Sequence, residues 1–252
     1  MSNNLDLSKE LIGRRALVTG GTRGIGAAIT QRLLDAGAKV VVAARTRSDD
    51  APAEATFITG DVTTSEGVDA VATKALAALG GLDILVNNAG GARAFLEGSW
   101  TITDEEWQNA LALNLFAAIR LTNAVLPALR ASKAAAVVNI SSAAATIPSG
   151  AFAHYGAAKA ALNYVSRTLA VELAPSGIRV NVVSPGVIAT PGSDEFSKAN
   201  PGFEPAAWLQ SIPLGRIGAT EDIAEVVALL VSDRAKYITG ANYGVDGGMT
   251  AR

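Results

Sequence analysis

The sequence has no cysteine and only one histidine, His154. The lack of cysteine excludes disulfides and thiolate metal ligands, and it fits a reducing compartment such as the cytoplasm. Most zinc sites and every Ser-His-Asp arrangement would have to use His154. The G-x-S-x-G motif of the α/β-hydrolases does not occur either. We therefore predict no metal site and no hydrolase chemistry.

An excess of one charge and long apolar runs are also missing. Twenty-one basic and 23 acidic residues give a net charge of −2, and basic residues are scattered. This balance gives no reason to expect nucleic acid or an anionic membrane as a partner. No run of eighteen apolar residues occurs, and the N-terminal MSNNLDLSKE lacks the features of a secretory signal. We expect a soluble, cytoplasmic protein.

Short apolar runs alternate with helix-length stretches along the 252 residues. Such runs are typical of strands in a parallel sheet covered on both faces. We predict strands at 14–19, 39–44, 56–60, 83–87, 136–140, 178–184 and 243–245, and helices beginning near Gly24, Thr64, Thr103, Phe152 and Thr220. The alternation predicts an α/β fold with one domain over 1–252, a Rossmann-like doubly wound parallel sheet with helices on both faces.

Two segments between these elements carry further signals. Thr103-Asp-Glu-Glu106 has the form of a capping box at a helix start. The stretch 191–213 has an irregular, proline- and glycine-containing composition around a short helical piece. Such a composition favours a mobile flap over a domain boundary.

A glycine-rich turn, TGGTRGIG at 19–26, follows the first predicted strand and opens the first helix. Its spacing departs from the G-x-G-x-x-G fingerprint, but glycines there still permit a tight turn and a close backbone approach to a pyrophosphate. The helix N-terminus would present free N–H groups to that anion. The alternative is an ordinary strand-to-helix turn; we favour dinucleotide binding.

The second predicted strand ends in Ala44 and is followed by Arg45 and Arg47. A site for NAD has an acid near this point for the ribose hydroxyls, whereas an arginine suits the 2′-phosphate of NADP. Arg23 adds a second positive charge, while Asp49 and Asp50 act against it. We predict NADP(H) as cofactor, with NAD(H) as the alternative; the two arginines are otherwise solvated surface charges.

Tyr155 and Lys159 are four residues apart on a predicted helix, and Ser142 lies thirteen residues before Tyr155. A spacing of four places two side chains on one helix face. Lowering the pKa of a phenol by ~2–3 units takes roughly 3–4 kcal/mol, which a nearby ammonium supplies in a half-buried site. We predict that Lys159 acidifies Tyr155 for proton transfer, with Ser142 as a second donor. By itself the Tyr-x-x-x-Lys pattern is weak evidence for a catalytic site, because it occurs by chance in many helices.

Taken together, these motifs resemble the short-chain dehydrogenase/reductase family over essentially the whole chain. The matching residues are 19–26, Asp61-Val62, the Asn-Asn-Ala-Gly run 87–90, Asn114, Ser142, Tyr155, Lys159, Pro185-Gly186, Thr190 and the Asp-Gly-Gly run 246–248. The resemblance implies a catalytic set of Asn114, Ser142, Tyr155 and Lys159, with Asn114 holding a water that links Lys159 to solvent. As an alternative, Asn114 caps or kinks its helix.

The resemblance also implies which residues contact the cofactor. Asp61 and Val62 would meet the adenine, Asn87 and the turn after it would close the groove, and Lys159 would bind the nicotinamide ribose. Pro185, Gly186 and Thr190 would cradle the carboxamide. The full implied set is Gly20, Thr22, Arg23, Gly24, Ile25, Gly26, Arg45, Arg47, Asp61, Val62, Asn87, Ala89, Gly90, Tyr155, Lys159, Pro185, Gly186, Val187, Ile188 and Thr190.

Substrate contacts are expected from mostly small or apolar segments. These are 91–95, 143–152, 187–188 and the flap around Phe196, Phe203 and Trp208. Arg93 is a cation there that either meets a carboxylate or faces solvent, and we interpret His154 as a packing or rim residue. The lining favours an apolar ketone or the matching secondary alcohol.

Several functional and assembly alternatives remain open. They are a 3-oxoacyl-carrier-protein reductase, an NAD-dependent alcohol dehydrogenase and a non-catalytic dinucleotide sensor. The helix after Phe152 is small or apolar around most of its circumference, so it needs cover on more than one side. With the resemblance, this predicts a homotetramer, with a dimer as second choice.

Overall fold

The computed structural model describes residues 6–199 and 209–251. Within them the strands are β1 (Arg15–Thr19), β2 (Lys39–Ala44), β3 (Thr56–Thr59), β4 (Ile84–Asn87), β5 (Ala136–Ile140), β6 (Arg179–Pro185) and β7 (Asn242–Val245). The helices are α1 (Gly24–Asp35), α2 (Ser65–Leu79), α3 (Asp104–Leu111), α4 (Ala117–Ala131), α5 (Ala153–Leu173), α6 (Pro191–Ala199) and α7 (Thr220–Val231). The predicted strands and helix starts agree with these bounds to within a residue or so.

The seven strands form one sheet in the order β3-β2-β1-β4-β5-β6-β7. Every neighbouring pair is parallel. The predicted doubly wound fold is confirmed. Because the strand order reverses between β1 and β4, a crevice opens at the carboxyl ends of these strands, where such folds bind ligands.

Two apolar cores lie on opposite faces of the sheet because neighbouring residues of a strand point to opposite sides. Val18, Val42 and Val86 face the core that α1 and α7 cover. Leu17, Val41 and Leu85 face the core that α2, α4 and α5 cover. Both faces of these strands are therefore buried, which explains their nearly continuous apolar sequences.

The helix starts show how local sequence sets the elements that carry the site. Thr64 caps α2 by accepting a hydrogen bond from the Gly67 amide at 3.1 Å. Thr103 caps α3 by accepting from the Glu106 amide at 3.3 Å. Only this half of the expected capping box is confirmed, because the Glu106 carboxylate pairs with Arg93 instead.

A five-residue π-helical turn, Ala112–Phe116, joins α3 to α4. The combined run Asp104–Ala131 contains an 18-residue window of mean hydropathy 1.4, which by length and composition alone would suffice to cross a membrane. Since 44% of that window is buried inside the fold, and core helices also meet this criterion, the run carries no argument for a membrane.

Candidate active site

A groove of about 750 Å³ opens at the carboxyl ends of the central strands. It brings together most of the residues that the sequence assigned to a cofactor. Those lining it are Gly20, Thr22, Arg23, Gly24, Ile25, Gly26, Arg45, Asp61, Val62, Ala89, Gly90, Tyr155, Lys159, Pro185, Gly186, Ile188 and Thr190. Further lining residues that the sequence analysis did not single out include Thr46, Ser48, Asn88, Leu113, Ile140, Ser141, Pro191 and Gly192.

The glycine loop is a compact cradle between β1 and α1. Gly20 and Gly24 have φ values of +64° and +54°, which favour glycine. A Cβ atom on Gly26 would collide with the carbonyl oxygen of Gly20. Asn88 holds the loop from the end of β4, because its side-chain amide donates to the carbonyls of Thr19 and Gly20 at 2.9 and 3.1 Å.

One end of the groove is bordered by Arg45, Thr46, Ser48 and Asp61. Asp61 accepts hydrogen bonds from the amide and hydroxyl of Thr63 at 2.9 and 2.8 Å. These bonds, and then the charge of Arg45, lower the pKa of the Asp61 carboxyl. The Ser48 hydroxyl and the exposed Arg45 guanidinium therefore lie in the same part of the groove as the glycine loop.

The other end of the groove contains Ser142, Tyr155 and Lys159. Ser142 hydrogen-bonds to the Tyr155 side chain, while Ser141 turns its hydroxyl toward the Lys159 carbonyl at 3.4 Å. The Nζ atom of Lys159 donates to the Ile140 carbonyl at 2.8 Å and lies 5.7 Å from the centre of the Tyr155 ring. Ser142, not Ser141, is thus the serine that meets Tyr155, as the spacing suggested.

The pKa of Tyr155 does not follow the sequence prediction. Burial raises it above the ordinary value, and the hydrogen bond from Ser142 acts against this rise. The ammonium of Lys159 is directed toward a backbone carbonyl, and burial lowers the pKa of Lys159 itself to about 8. In this geometry the Lys159 ammonium is therefore not directed at the Tyr155 hydroxyl, and the predicted acidification of Tyr155 by Lys159 is not supported.

Asn114 lies in the π-helical turn and is 1% exposed. Its amide donates to the carbonyls of Gly91 and Ala110 at 2.9 and 3.0 Å, and its oxygen accepts from the Gly91 amide at 3.0 Å. A Cβ atom on Gly90 would lie 2.9 Å from this oxygen and 3.1 Å from Lys159 Nζ. Asn114 therefore fastens the chain after β4 beside Lys159, and its place in the π-helical turn matches the alternative of a kinked helix. Its role in holding a water stays a prediction.

Three residues expected at the cofactor lie elsewhere. Asn87 is buried and donates to Thr122 and Asn139 at 3.2 and 2.8 Å inside the core. Val187 lines a separate cavity of about 380 Å³ beside β7. Arg47 is exposed outside the groove lining. For Asn87 the side chain points away from the groove because neighbouring residues of a strand alternate in direction.

The segments that the sequence analysis expected to contact substrate lie in two loops and α6. Phe95 donates its amide to the Ala151 carbonyl at 3.0 Å, so the loop after β4 is joined to the segment before α5. Thr190 and Ser193 exchange hydrogen bonds at the start of α6, and Thr190 lies over Gly24. The side chain of Phe196, together with Phe203 and Trp208, lies outside the described residues.

These residues fit a dinucleotide. The cradle left by the glycines suits a pyrophosphate at the N-terminus of α1, where free N–H groups and the helix dipole favour an anion. Arg45 and Ser48 offer donors at one end, and the buried Lys159 and the hydroxyls of Ser142 and Tyr155 converge at the other. One continuous groove lining joins these two ends.

Known families and relatives match nearly the whole chain. A family model described as "Enoyl-(Acyl carrier protein) reductase" matches residues 20–250. The 3-oxoacyl-[acyl-carrier-protein] reductase of Escherichia coli is 40% identical over 94% of this chain and 97% of its own length. The 3beta-hydroxysteroid dehydrogenase 1 of Eggerthella lenta is 39% identical, with 96% and 95% covered.

Solved structures agree with these sequence matches. The aldohexose dehydrogenase of Thermoplasma acidophilum superposes with a TM-score of 0.88 at 31% identity, covering 97% of this chain and 96% of its own. A putative short-chain alcohol dehydrogenase of Sinorhizobium meliloti gives 0.87 at 35% identity, with 97% and 99% covered. Fold, groove and full-length relatives lead to one conclusion: the chain belongs to the short-chain dehydrogenase/reductase family and is an oxidoreductase.

Proposed function

We propose that the protein interconverts an apolar ketone and its secondary alcohol, with NADP(H) as cofactor. The observation that carries this is the meeting of Ser142, Tyr155 and Lys159 at one end of a groove whose other end carries Arg45 and Ser48. When bound, the dinucleotide supplies or accepts the hydride. The residues of this chain orient the carbonyl and manage the charge on its oxygen.

The geometry supports a division of roles at that oxygen. Tyr155 is protonated at neutral pH because burial raises its pKa, so it serves as general acid in reduction and as base in oxidation. Ser142 donates to the oxygen as negative charge develops. Lys159 is held by Ile140 next to Asn114 and Gly90, in a place where it would bind ribose hydroxyls.

A turnover screen tests this proposal. The protein would be offered NADPH or NADH with a panel of ketones, β-ketoesters and quinones. We expect reduction of an apolar ketone with NADPH, and Tyr155→Phe should remove most turnover while cofactor affinity changes little. Full activity of that variant would contradict the role of Tyr155. A protein that binds the cofactor but turns over no carbonyl would instead be the dinucleotide sensor, which the complete Asn-Ser-Tyr-Lys set disfavours.

The preference for NADP(H) rests on Arg45, with Ser48 and Arg23 beside it. Arg23 also forms an exposed ion pair with Glu195 at 3.2 Å. A charge-assisted hydrogen bond to a 2′-phosphate is worth about 1.5–3 kcal/mol, which corresponds to a tenfold or larger preference. Arg45→Asp should reverse the ratio of kcat/KM for NADPH and NADH, whereas Lys74→Asp on α2 should leave it unchanged. An unaltered ratio in Arg45→Asp would contradict this role of Arg45, and a parent protein that prefers NADH would favour the NAD-dependent alcohol dehydrogenase.

A 3-oxoacyl-carrier-protein reductase is the second candidate, and the 40% identity to the Escherichia coli enzyme of that name favours it. Rates on a 3-oxoacyl group attached to carrier protein and to a short thioester carrier distinguish the two functions. A preference for the protein-bound form would support the second candidate, while equal rates would support a small-molecule reductase. For either function we infer a cytoplasmic homotetramer, supported by the absence of cysteine and by apolar residues left exposed on α5.

A further inference from the structure

Arg93 and His154, which the proposed mechanism does not use, meet in one cluster. Arg93 forms an ion pair with Glu106 at 2.9 Å, and its guanidinium lies 5.2 Å from the centre of the Phe95 ring. The His154 ring is edge-to-face with Phe95 at 5.4 Å and with Trp107 at 6.1 Å. This His154 cluster (Arg93, Phe95, Glu106, Trp107 and His154) joins the loop after β4, helix α3 and helix α5.

The cluster lies beside the first turn of α5, where Tyr155 is the third residue. The residue before this helix, Phe152, makes no side-chain cap hydrogen bond to the first turn, so packing contributes to the position of that turn. Gly156 lets the turn approach the Ala144 carbonyl closely, since a Cβ atom there would lie 2.6 Å from that oxygen. His154, which is 2% exposed, supplies the packing toward Phe95 and Trp107.

A histidine at this position has a cost in stability. Its Nδ1 atom is buried and has no hydrogen-bond partner among the described residues, and an unpaired buried polar atom destabilises a fold. Burial lowers the pKa of His154, and the nearby Glu106 carboxylate acts in the opposite direction. Because Arg93 engages that carboxylate, it weakens the pull of Glu106 on a proton.

We propose that His154 is a positioning residue for Tyr155: its neutral imidazole, packed between Phe95 and Trp107, holds the first turn of α5 so that Tyr155 meets Ser142. The Arg93–Glu106 pair keeps this imidazole neutral. The charged and titratable groups in this arrangement are Arg93 on the loop, Glu106 on α3 and Tyr155 on the same helix. The inference rests on the proposed function only where activity is measured.

Because the chain has one histidine and four tyrosines, NMR can follow this arrangement directly. Protein without an affinity tag would be labelled with ¹³C-histidine and with tyrosine carrying ¹³C at the ring Cζ atom. We expect the His154 signal to titrate below 6.5, and the Cζ signal of Tyr155 to shift with the same midpoint. In His154→Phe, which keeps an aromatic ring but cannot titrate, the Tyr155 Cζ signal should no longer respond in this pH range.

Two variants of the ion pair test the electrostatic part. Arg93→Gln frees the Glu106 carboxylate, so the His154 midpoint should rise, and Arg93→Gln/Glu106→Gln should return it. Lys74→Gln, which removes a positive charge from the distant helix α2, is the matched control and should leave the midpoint unchanged. An Arg93→Gln midpoint equal to that of the unmodified protein would overturn this part of the proposal.

Kinetics test the positioning of Tyr155 with any ketone found in the screen. We expect the acid limb of kcat/KM to share the NMR midpoint and to disappear in His154→Phe. His154→Ala should lower kcat by about tenfold or more, since small misplacements of a reacting group are costly, while the Kd for NADPH stays within about twofold. If His154→Ala does not fold, His154→Phe and Arg93→Gln carry the test.

The outcomes separate the two proposals. If no carbonyl is reduced but the Tyr155 Cζ signal follows His154, the proposed function fails and the positioning stands. If carbonyls are reduced but the Cζ signal ignores His154, or the acid limb persists in His154→Phe, the positioning role is wrong.

Discussion

The charged ammonium of Lys159 is buried. The residue is 2% exposed, and its ammonium donates to the Ile140 carbonyl. Burial lowers its pKa from 10.5 to about 8. A folded-state pKa below the unfolded value means that the charged form destabilises the fold. That cost is fully present below pH 8 and disappears as pH rises toward 10.5.

Replacing this lysine should therefore separate stability from activity. A fall from 10.5 to about 8 corresponds to about 3 kcal/mol, so Lys159→Met should raise the free energy of unfolding at pH 7 by up to that amount and abolish turnover. Denaturant titrations of the cofactor-free protein measure the change. The exposed Lys74→Met should have little effect, and a Lys159→Met variant less stable than the parent would show that the ammonium stabilises the fold.

The raised pKa of Tyr155 predicts opposite pH dependence for the two directions of reaction. Reduction needs the protonated phenol, so ionisation of Tyr155 should lower its kcat/KM only above about pH 10, the ordinary pKa of tyrosine. Oxidation needs the phenolate and should rise with pH over the same range. Rate profiles in both directions measure this, and a reduction limb that falls near pH 7 would restore the acidified phenol of the sequence prediction.

At the scale of secondary-structure elements, Asp83 joins the amino ends of β1 and β4 to the C-terminal end of α4. It accepts from the Arg15 amide at 2.9 Å and from its guanidinium at 2.8 Å, and from the Ser132 hydroxyl at 2.6 Å. Burial alone would raise the pKa of Asp83, but these hydrogen bonds outweigh it and lower the pKa to about 2. A lowered carboxyl pKa stabilises the fold above about pH 4, and this contribution is lost as pH falls toward 2.

Asp83→Asn should thus reduce the free energy of unfolding at pH 7. The shift from 3.8 to about 2 corresponds to about 2 kcal/mol. The difference from the parent should shrink as pH approaches 2, which urea titrations at several pH values would show. Asp233→Asn, which breaks the more exposed pair with Arg14, is the control and should cost less than about 1 kcal/mol.

The elements themselves could be predicted because their signals are local. Apolar runs, the Thr64 and Thr103 caps and the glycine turn each act within a few residues, so strands, helix starts and groove followed from sequence. The direction of side chains could not be predicted. Strands buried on both faces lack the alternation of polar and apolar residues that would show which way Asn87 points. The pKa of Tyr155 was also missed, since the target of the Lys159 ammonium, the Ile140 carbonyl, depends on how β5 lies against α5.

At the scale of the whole molecule, exposed apolar side chains lie on α5 and at the end of the π-helical turn before α4. Tyr164 and Val171 are 67% and 76% exposed, and Phe116, next to α4, is 41% exposed. Tyr164 and Val171 are seven residues apart and so share one face of α5. Contiguous exposed apolar residues typically mark a protein contact, which supports the proposed assembly of identical chains through this face.

A charge placed on this face should therefore change the assembly. We expect the parent protein to sediment as a tetramer; a dimer is the alternative. Val171→Glu should give a smaller species, because burying a carboxylate in the contact without a partner is costly. Ile12→Glu alters another exposed apolar residue, at 64% exposure and outside α4 and α5, and should leave the mass unchanged.

Since Tyr155 and Lys159 are on α5 as well, loss of the contact should also lower activity at dilutions where the parent stays assembled. A monomeric parent at micromolar concentration would contradict the assembly, and an unchanged mass in Val171→Glu would place the contact on a different face.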